Sequence, residues 1–183
     1  MFLYTIDDEV SLKLFTVQDD VELFNLTNSS KEYLREWLSW VDYTQQVNDS
    51  RNWILSTISG VVESGGHPKV TAIFYEGNIA GTIGFNMIDR LNKSVKIGYW
   101  IGEKYQGKGI MTRACKGLVD YGFKEMDLNR IEISVAEKNY KSRAIPEKLG
   151  FKEEGIVRQV ELLDNQYVNH VIYSKLASEW LKN

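Results

Sequence analysis

Cysteine, proline and histidine are scarce in this chain of 183 residues, which has one, two and two of them respectively. A single thiol, Cys115, excludes an intrachain disulfide framework. Its place in an apolar helical stretch reads as packed core and not as a reactive group. His67 and His170 lie far apart with no Cys or His clustered beside them, so no metal ligand set is expected. No run approaches the 18 or so apolar residues of a membrane-spanning helix. Met1-Phe2-Leu3-Tyr4 carries no basic segment and is followed by Asp7, Asp8 and Glu9, so no signal peptide is expected and the cytoplasm is the expected compartment. Positive charge is not in excess either: 22 Lys and Arg against 25 Asp and Glu give a net charge of −3. That balance offers no footprint for direct nucleic-acid binding, and it suits a cationic partner such as an amine.

What remains is the profile of a globular chain, 43% hydrophobic and 26% charged. Its length fits one domain over residues 1–183. The organising stretch runs from Val95 to Lys116, V-K-I-G-Y-W-I-G-E-K-Y-Q-G-K-G-I-M-T-R-A-C-K. Val95 to Ile101 alternates with β-branched and aromatic residues and predicts a strand. Gln106-Gly107-Lys108-Gly109 predicts a turn, and from Ile110 the apolar spacing Ile110, Ala114, Leu118, Tyr121 is helical. A strand that breaks at glycines and opens into a helix leaves backbone N–H groups unpaired. Those donors and the helix dipole favour an anion, above all phosphate. Gly107 and Gly109 let the main chain come close to it, and Lys108 adds charge.

Two phosphate motifs compete for this turn. Gly102 to Gly109 fits the P-loop pattern G-x-x-x-x-G-K-[ST] except at its last position, where Gly109 supplies no hydroxyl for Mg²⁺. From Gln106 the same residues, Q-G-K-G-I-M, resemble the Q/R-x-x-G-x-G/A pyrophosphate loop of the GNAT acetyltransferase superfamily, with Met111 at the small-residue position.

Along the rest of the chain, a strand is expected at Ser11 to Phe15. Helices follow at Val17 to Asn28, at Ser30 to about Val41 with Trp37 and Trp40 three apart, and at Asp49 to Glu63 with Asp49 or Ser50 as N-cap. That third helix carries Trp53, Ile54, Ile58 and Val61 on one side. Strands at Val70 to Tyr75 and Ile79 to Ile88 flank the tight turn Glu76-Gly77-Asn78. After the long helix come a strand at Arg130 to Val135, a short helix at Asn139 to Leu149 with Pro146 near its first turns, and two strands joined at Asp164-Asn165-Gln166. Helices first and a mixed sheet after them indicate an α/β or α+β sandwich.

Asn139 to Gly155, N-Y-K-S-R-A-I-P-E-K-L-G-F-K-E-E-G, resembles the second GNAT motif in register. The tail from Arg158 to Tyr173 resembles the ribosomal-protein N-terminal (RimL/RimJ-like) branch. The resemblance implies the GNAT fold, a central mixed, mostly antiparallel sheet flanked by helices and splayed between the Val95 and Arg130 strands. It implies acetyl-CoA as co-substrate, with no metal, lying in that gap against Tyr99, Trp100 and Ile101. The pyrophosphate would rest on Gln106, Gly107, Lys108, Gly109, Ile110 and Met111, with Asn139 holding the pantetheine amide. A main-chain N–H of the first edge would stabilise the oxyanion. Ser142 would protonate the departing thiolate, unless it only caps its helix and Tyr140 is the acid. Glu161 matches the proposed base of this branch, directly or through water, or is a solvated strand residue.

At pH 7 on the order of 10% of α-amines are neutral against about 0.04% of lysines, which favours an N-terminal acceptor. Trp37, Trp40 and Tyr167 are the candidates for the acceptor groove, with core packing the other reading for the tryptophans. The expected activity is acetyl transfer to the α-amine of a protein N-terminus, with ribosomal proteins as the expected acceptors. The alternatives are a small-amine (polyamine or aminoglycoside) acetyltransferase, a non-catalytic acyl-CoA-binding module and a P-loop nucleotide-binding protein. Apolar aromatics on the first helices and the last hairpin point to a homo-oligomer.

Overall fold

The computed structural model describes residues 2–182. Within them one eight-stranded sheet runs in the order β1-β2-β3-β4-β5-β6-β8-β7. Its strands are β1 (Leu3–Thr5), β2 (Val10–Lys13), β3 (Val70–Tyr75), β4 (Asn78–Asp89), β5 (Ser94–Ile101), β6 (Arg130–Ala136), β7 (Lys152–Leu163) and β8 (Gln166–Leu176). Neighbours are antiparallel except β5 and β6, which are parallel. The helices are α1 (Asp20–Ser29), α2 (Lys31–Arg35), α3 (Val47–Glu63), α4 (Ile110–Lys124), α5 (Tyr140–Lys148) and α6 (Ala177–Trp180). The mixed sheet flanked by helices agrees with the expected architecture.

Two tight hairpins fix the register on either side of the site. Glu76 and Gly77 join β3 to β4, and Asp164 and Asn165 join β7 to β8, all four with positive φ, the twist that favours two-residue hairpins. The longest helical stripe belongs to α4, which buries Ile110, Ala114, Leu118 and Val119. Its Gly122 lies against Ile131 of β6, where a Cβ would approach the Ile131 Cδ1 to 3.0 Å. Alternation along β6 therefore sends Ile131, Ile133 and Val135 to the α4 side and Ser134 to the other. Burying Leu118 completely contributes about 1.5–3 kcal/mol, and the same stripe fixes where the helix begins.

Four expectations are corrected. The strand β1, three residues long, was not anticipated and pairs with β2. The second helix stops at Arg35, so Trp40 belongs to a 3-10 turn, Ser39–Tyr43, and does not share a helix with Trp37. Helix α3 begins at Val47, and Asp49 is in its first turn, its carboxylate accepting from the N–H groups of Gln45 and Gln46 at 2.9 and 3.0 Å. Its inner face is Ser50, Ile54 and Thr57, while Trp53 and Ile58 are exposed. Small hydroxyls go inside because Thr57 returns its O–H to the Ile54 carbonyl at 2.8 Å.

Candidate active site

Strand β5 stays paired with β4 along its whole length, out to Ile101 opposite Gly81. Its pairing with β6 ends at Ile97 opposite Ile133. Gly98 to Ile101 and Ser134 to Ala136 have separated, while β6 remains bonded to β8 as far as Ala136 opposite His170. The result is a wedge that opens through the sheet. The N–H of Gly102 bonds Ala80 of β4 at 2.8 Å. By strand alternation Trp100 and Gly98 also turn their main-chain groups to β4, and Tyr99 and Ile101 turn theirs into the wedge. Those N–H groups are the main-chain donors the wedge offers.

A cavity of about 1500 Å³ runs through this opening. That exceeds the usual volume of a single small-molecule site and leaves room for two reactants. Its two ends are built differently. On the α4–α5 side the wall is the glycine turn: Gly107 and Gly109 have φ of 73° and 70°, and no side chain caps the first turn of α4. A Cβ on either glycine would meet no protein atom within 4 Å, so the space before the turn is open to a ligand. The Lys141 ammonium donates to the Gln106 Oε1 at 3.1 Å, which ties the turn to α5 and adds positive charge at its rim.

Helix α5 places Ser142. Asn139 is its N-cap and accepts from the Ser142 N–H at 3.1 Å. Arg143 anchors the helix on β8 through the Tyr173 hydroxyl at 2.8 Å, and that hydroxyl donates to Glu147 at 2.8 Å. Pro146 stands in the second half of α5, not near its first turns. Without an N–H, it leaves the Ser142 carbonyl without its intrahelical donor. The Tyr99 hydroxyl supplies that donor at 3.1 Å, and the Ser142 hydroxyl in turn donates to Tyr99 at 3.4 Å. Burial drives the Tyr99 phenol far above its ordinary range. Tyr99 is therefore a neutral prop for Ser142. The other candidate acid, Tyr140, is 72% exposed.

The opposite side of the wedge is made by side chains. Trp100 alternates away from Tyr99, and its ring lies 5.8 Å from that of Trp40; Trp37 and Trp53 line the same end of the cavity. Tyr173 of β8 points at α5, so His170 faces the other way, with Ser134. Between the pairs Val157–His170 and Glu161–Val168, β7 carries two more residues than β8. This bulge has Gln159 at φ 51°, its N–H held by Asn169 at 2.9 Å. On the turn side of the bulge Glu161 pairs with Val168, one diagonal step from His170 on the same face, and the His170 Nε2 lies 2.8 Å from the Glu161 Oε2. The His170 Nδ1 lies 2.8 Å from the Ser134 hydroxyl.

Of the candidate residues, Glu161, Ser142, Asn139, Trp37 and Trp40 line the cavity. So do Tyr99, Trp100 and Ile101 on the β5 edge, and Gln106, Gly107, Gly109, Ile110 and Met111 in the turn. Lys108 and Tyr167 are not brought to it. The Lys108 ammonium lies over the Tyr75 and Tyr105 rings, at 5.3 and 5.9 Å. Tyr167 is 66% exposed and, one place from Val168, alternates to the face away from Glu161. Sequence reasoning missed His170, Ser134 and Lys141; only the spacing of Glu161 and His170 across a hairpin signals the first. Burial pushes the Cys115 thiol up to about 12, and it lies in the core behind the turn. Among the described residues no group of His, Cys, Asp or Glu could hold a metal ion, and no helix is long and apolar enough to cross a membrane.

Residues 10–152 match the Acetyltransferase (GNAT) domain family. The chain is 30% identical over 174 residues to the ribosomal-protein-serine acetyltransferase of Escherichia coli (strain K12), an alignment covering 94% of this chain and 96% of that one. Among solved structures, the microcin C7 self-immunity acetyltransferase MccE in complex with acetyl-CoA and AMP superposes with a TM-score of 0.87 at 30% identity, over 93% of this chain and 94% of that one. RimL, a ribosomal L7/L12 alpha-N-protein acetyltransferase in complex with coenzyme A, superposes with a TM-score of 0.88 at 25% identity, over 96% and 98%. The chain belongs to the GNAT acetyltransferase family, alongside enzymes that acetylate ribosomal proteins.

Proposed function

We propose that this acetyltransferase moves the acetyl group of acetyl-CoA directly to the α-amine of a protein N-terminus, a ribosomal protein being the acceptor its relatives suggest. The observation that carries the reading is the wedge, which has a hydroxyl on one side and a carboxylate on the other. The diphosphate fits the uncapped start of α4 and its left-handed glycines. Lys141 lies at the rim of that site, and Asn139 lies where the pantetheine arm would run. The Tyr99 and Ile101 N–H groups are the donors for the oxyanion that forms when the amine attacks.

In the reaction the amine nitrogen bonds the carbonyl carbon and the carbon–sulfur bond breaks. Ser142, backed by Tyr99, gives the departing thiolate its proton and is replenished from solvent. Glu161 on the far side receives the amine and begins its deprotonation. One proton is released overall. Glu161 is half-buried, its side chain 37% exposed, so an acceptor can reach it from solvent. An extended peptide terminus suits the open aromatic end of the cavity better than a compact amine, because Trp40 at 38% and Tyr43 at 80% exposure continue that wall outward. Acetylation of nascent or assembled ribosomal proteins would place the enzyme in the cytoplasm.

The test is mass spectrometry of peptide and small-amine panels incubated with the protein and acetyl-CoA. One acetyl group on a peptide α-amine is the expected outcome. Acetylation confined to polyamines or aminoglycosides would replace the acceptor, and no transfer to any amine would leave an acyl-CoA-binding protein. We further propose a homo-oligomer assembled through the outer strand β7. Its Ile156, Val157, Val160 and Leu162 are 43–52% exposed, a poor surface for an edge strand left in water. A monomeric mass by light scattering would overturn that assembly.

A further inference from the structure

We propose that His170 holds the proton given up by the acceptor amine, reached through Ser134, while Glu161 stays ionised and steadies the charged ring. The inference rests on the acetyl-transfer reading above and changes the part Glu161 plays in it.

With a neutral ring beside an ionised Glu161, the two contacts allow one arrangement of hydrogens. An ionised carboxylate only accepts, so the ring nitrogen facing it, Nε2 at 2.8 Å from Glu161, carries a hydrogen. In the neutral ring Nδ1 is then a lone pair, and the Ser134 hydroxyl at 2.8 Å donates to it. Ser134, His170 and Glu161 all line the cavity on its aromatic side. The imidazole is 15% exposed in its side chain and the carboxylate 37%, so the acid is the outer member and the ring the inner one. The β7 bulge beside the pair is pinned by Asn169, which bonds Gln159 with its oxygen and Glu137 with its nitrogen, both at 2.9 Å.

The chemistry favours the ring as the place where the proton rests. In model compounds an α-amine has a pKa of about 7.7–8.0, an imidazole about 6.5 and a glutamate carboxyl about 4.3. Moving a proton from the ammonium to a carboxylate is uphill by more than about three units, and to an imidazole by about one and a half. The step balances. The ammonium gives a proton to the Ser134 oxygen, directly or through one water, as the Ser134 hydrogen passes to Nδ1. Ser134 ends with one hydrogen as before, the amine is neutral with its lone pair free, and His170 is a cation against Glu161. The ring later returns that proton to solvent. Because it acts through Ser134, His170 is a positioning residue, and Glu161 orients both the ring and the incoming amine. The charged groups lining the same cavity are Glu161, Glu36, Asp49, Lys138, Lys141 and Lys148, and Glu137 bonds Asn169 next to the ring's own residue.

The experiment compares the full-length parent with His170→Gln and His170→Ala on a peptide that the parent acetylates. Glutamine can still donate to Glu161 but takes no proton near neutrality. The expected result for His170→Gln is a kcat lower by about 100-fold, with the acetyl-CoA KM within about twofold and the acid limb of kcat against pH gone. Imidazole added to the medium should restore His170→Ala toward the parent rate, a recovery that a purely structural role would not show. Ser134→Ala, which keeps ring and carboxylate, should lose about tenfold in kcat and serves as the reading if the His170 variants fail to fold. A His170→Gln enzyme within about threefold of the parent with its acid limb intact would overturn the proposal, as would a Ser134→Ala enzyme at the parent rate. If the parent transfers acetyl and the variants keep pace, only this inference falls; if the parent transfers to no amine, the functional reading falls first.

Discussion

The two sides of the wedge are made of different material. On the α4–α5 side the groups proposed to hold the coenzyme are main-chain N–H groups presented by a turn and by the start of a helix, with Gly107 and Gly109 in left-handed conformations. On the other side they are side chains: Trp40 from a 3-10 turn, Trp100 from β5, Ser134 from β6, Glu161 and His170 from a hairpin. A main-chain site depends on local conformation and tolerates many side chains around it. A side-chain site depends on register between distant segments and changes with single residues. The first suits a ligand that stays the same, the second an acceptor that differs between enzymes.

That contrast should appear first in the size and kind of kinetic loss. Glu161→Gln removes the charge on the acceptor side, and kcat should fall by roughly 10²–10⁴-fold while the affinity for coenzyme A, measured by calorimetry, is unchanged. A loss of coenzyme affinity instead would mean that the two sides are not separable. The opposite substitution is Gly109→Ala. A Cβ there meets no protein atom within 4 Å, so only the φ of 70° and the ligand oppose it. The backbone strain is about 1–2 kcal/mol, and the acetyl-CoA KM should rise about tenfold or more as the methyl enters the space of the diphosphate. An unchanged KM would place the diphosphate elsewhere.

The same division explains what could be read from the sequence. The strand from Val95, the glycine turn, α4 and the Asn139 helix are each encoded within about 20 residues, and their order carries the family pattern. The hairpin at Asp164-Asn165 was equally legible, since Asp and Asn tolerate positive φ, while at β3–β4 the turn falls on Glu76-Gly77, one residue before the Gly77-Asn78 pair that signals it. His170 was not legible. No local pattern marks it; its place one diagonal step from Glu161, which pairs with Val168, follows only from counting across the Asp164-Asn165 turn. The break after Arg35 was hidden because Trp37 and Trp40 keep a helical spacing although the chain has left the helix. Strand β1, three residues long, is too short to show a period.

A smaller effect sharpens the assignment of the acceptor wall. Trp40 is 38% exposed and packs on Trp100 with ring centroids 5.8 Å apart, so Trp40→Ala removes a surface ring without opening the core. The acceptor KM should rise about tenfold, the loss of roughly 1.4 kcal/mol of contact, and the acetyl-CoA KM should not move. Equal rises in both would make Trp40 a support for β5 and leave the acceptor path to be found elsewhere.

The smallest expected change tests how Ser142 is held. Tyr99→Phe deprives the Ser142 carbonyl of its donor, because Pro146 has no N–H to take over. An unsatisfied carbonyl of this kind costs about 1–3 kcal/mol, or a melting temperature lower by about 2–4 °C for each kcal/mol in a chain of this size. Pro146→Ala alone gives that carbonyl a second donor and should change stability little. The double variant Tyr99→Phe/Pro146→Ala should then recover a large part of the loss, because the alanine N–H closes the helical bond that proline leaves open. Recovery of stability without recovery of kcat would separate the two roles of Tyr99, filling the gap in α5 and backing the Ser142 hydroxyl. If the two losses simply add, the Tyr99 hydroxyl is not replacing the helical bond, and Ser142 must be held by its cap at Asn139 alone.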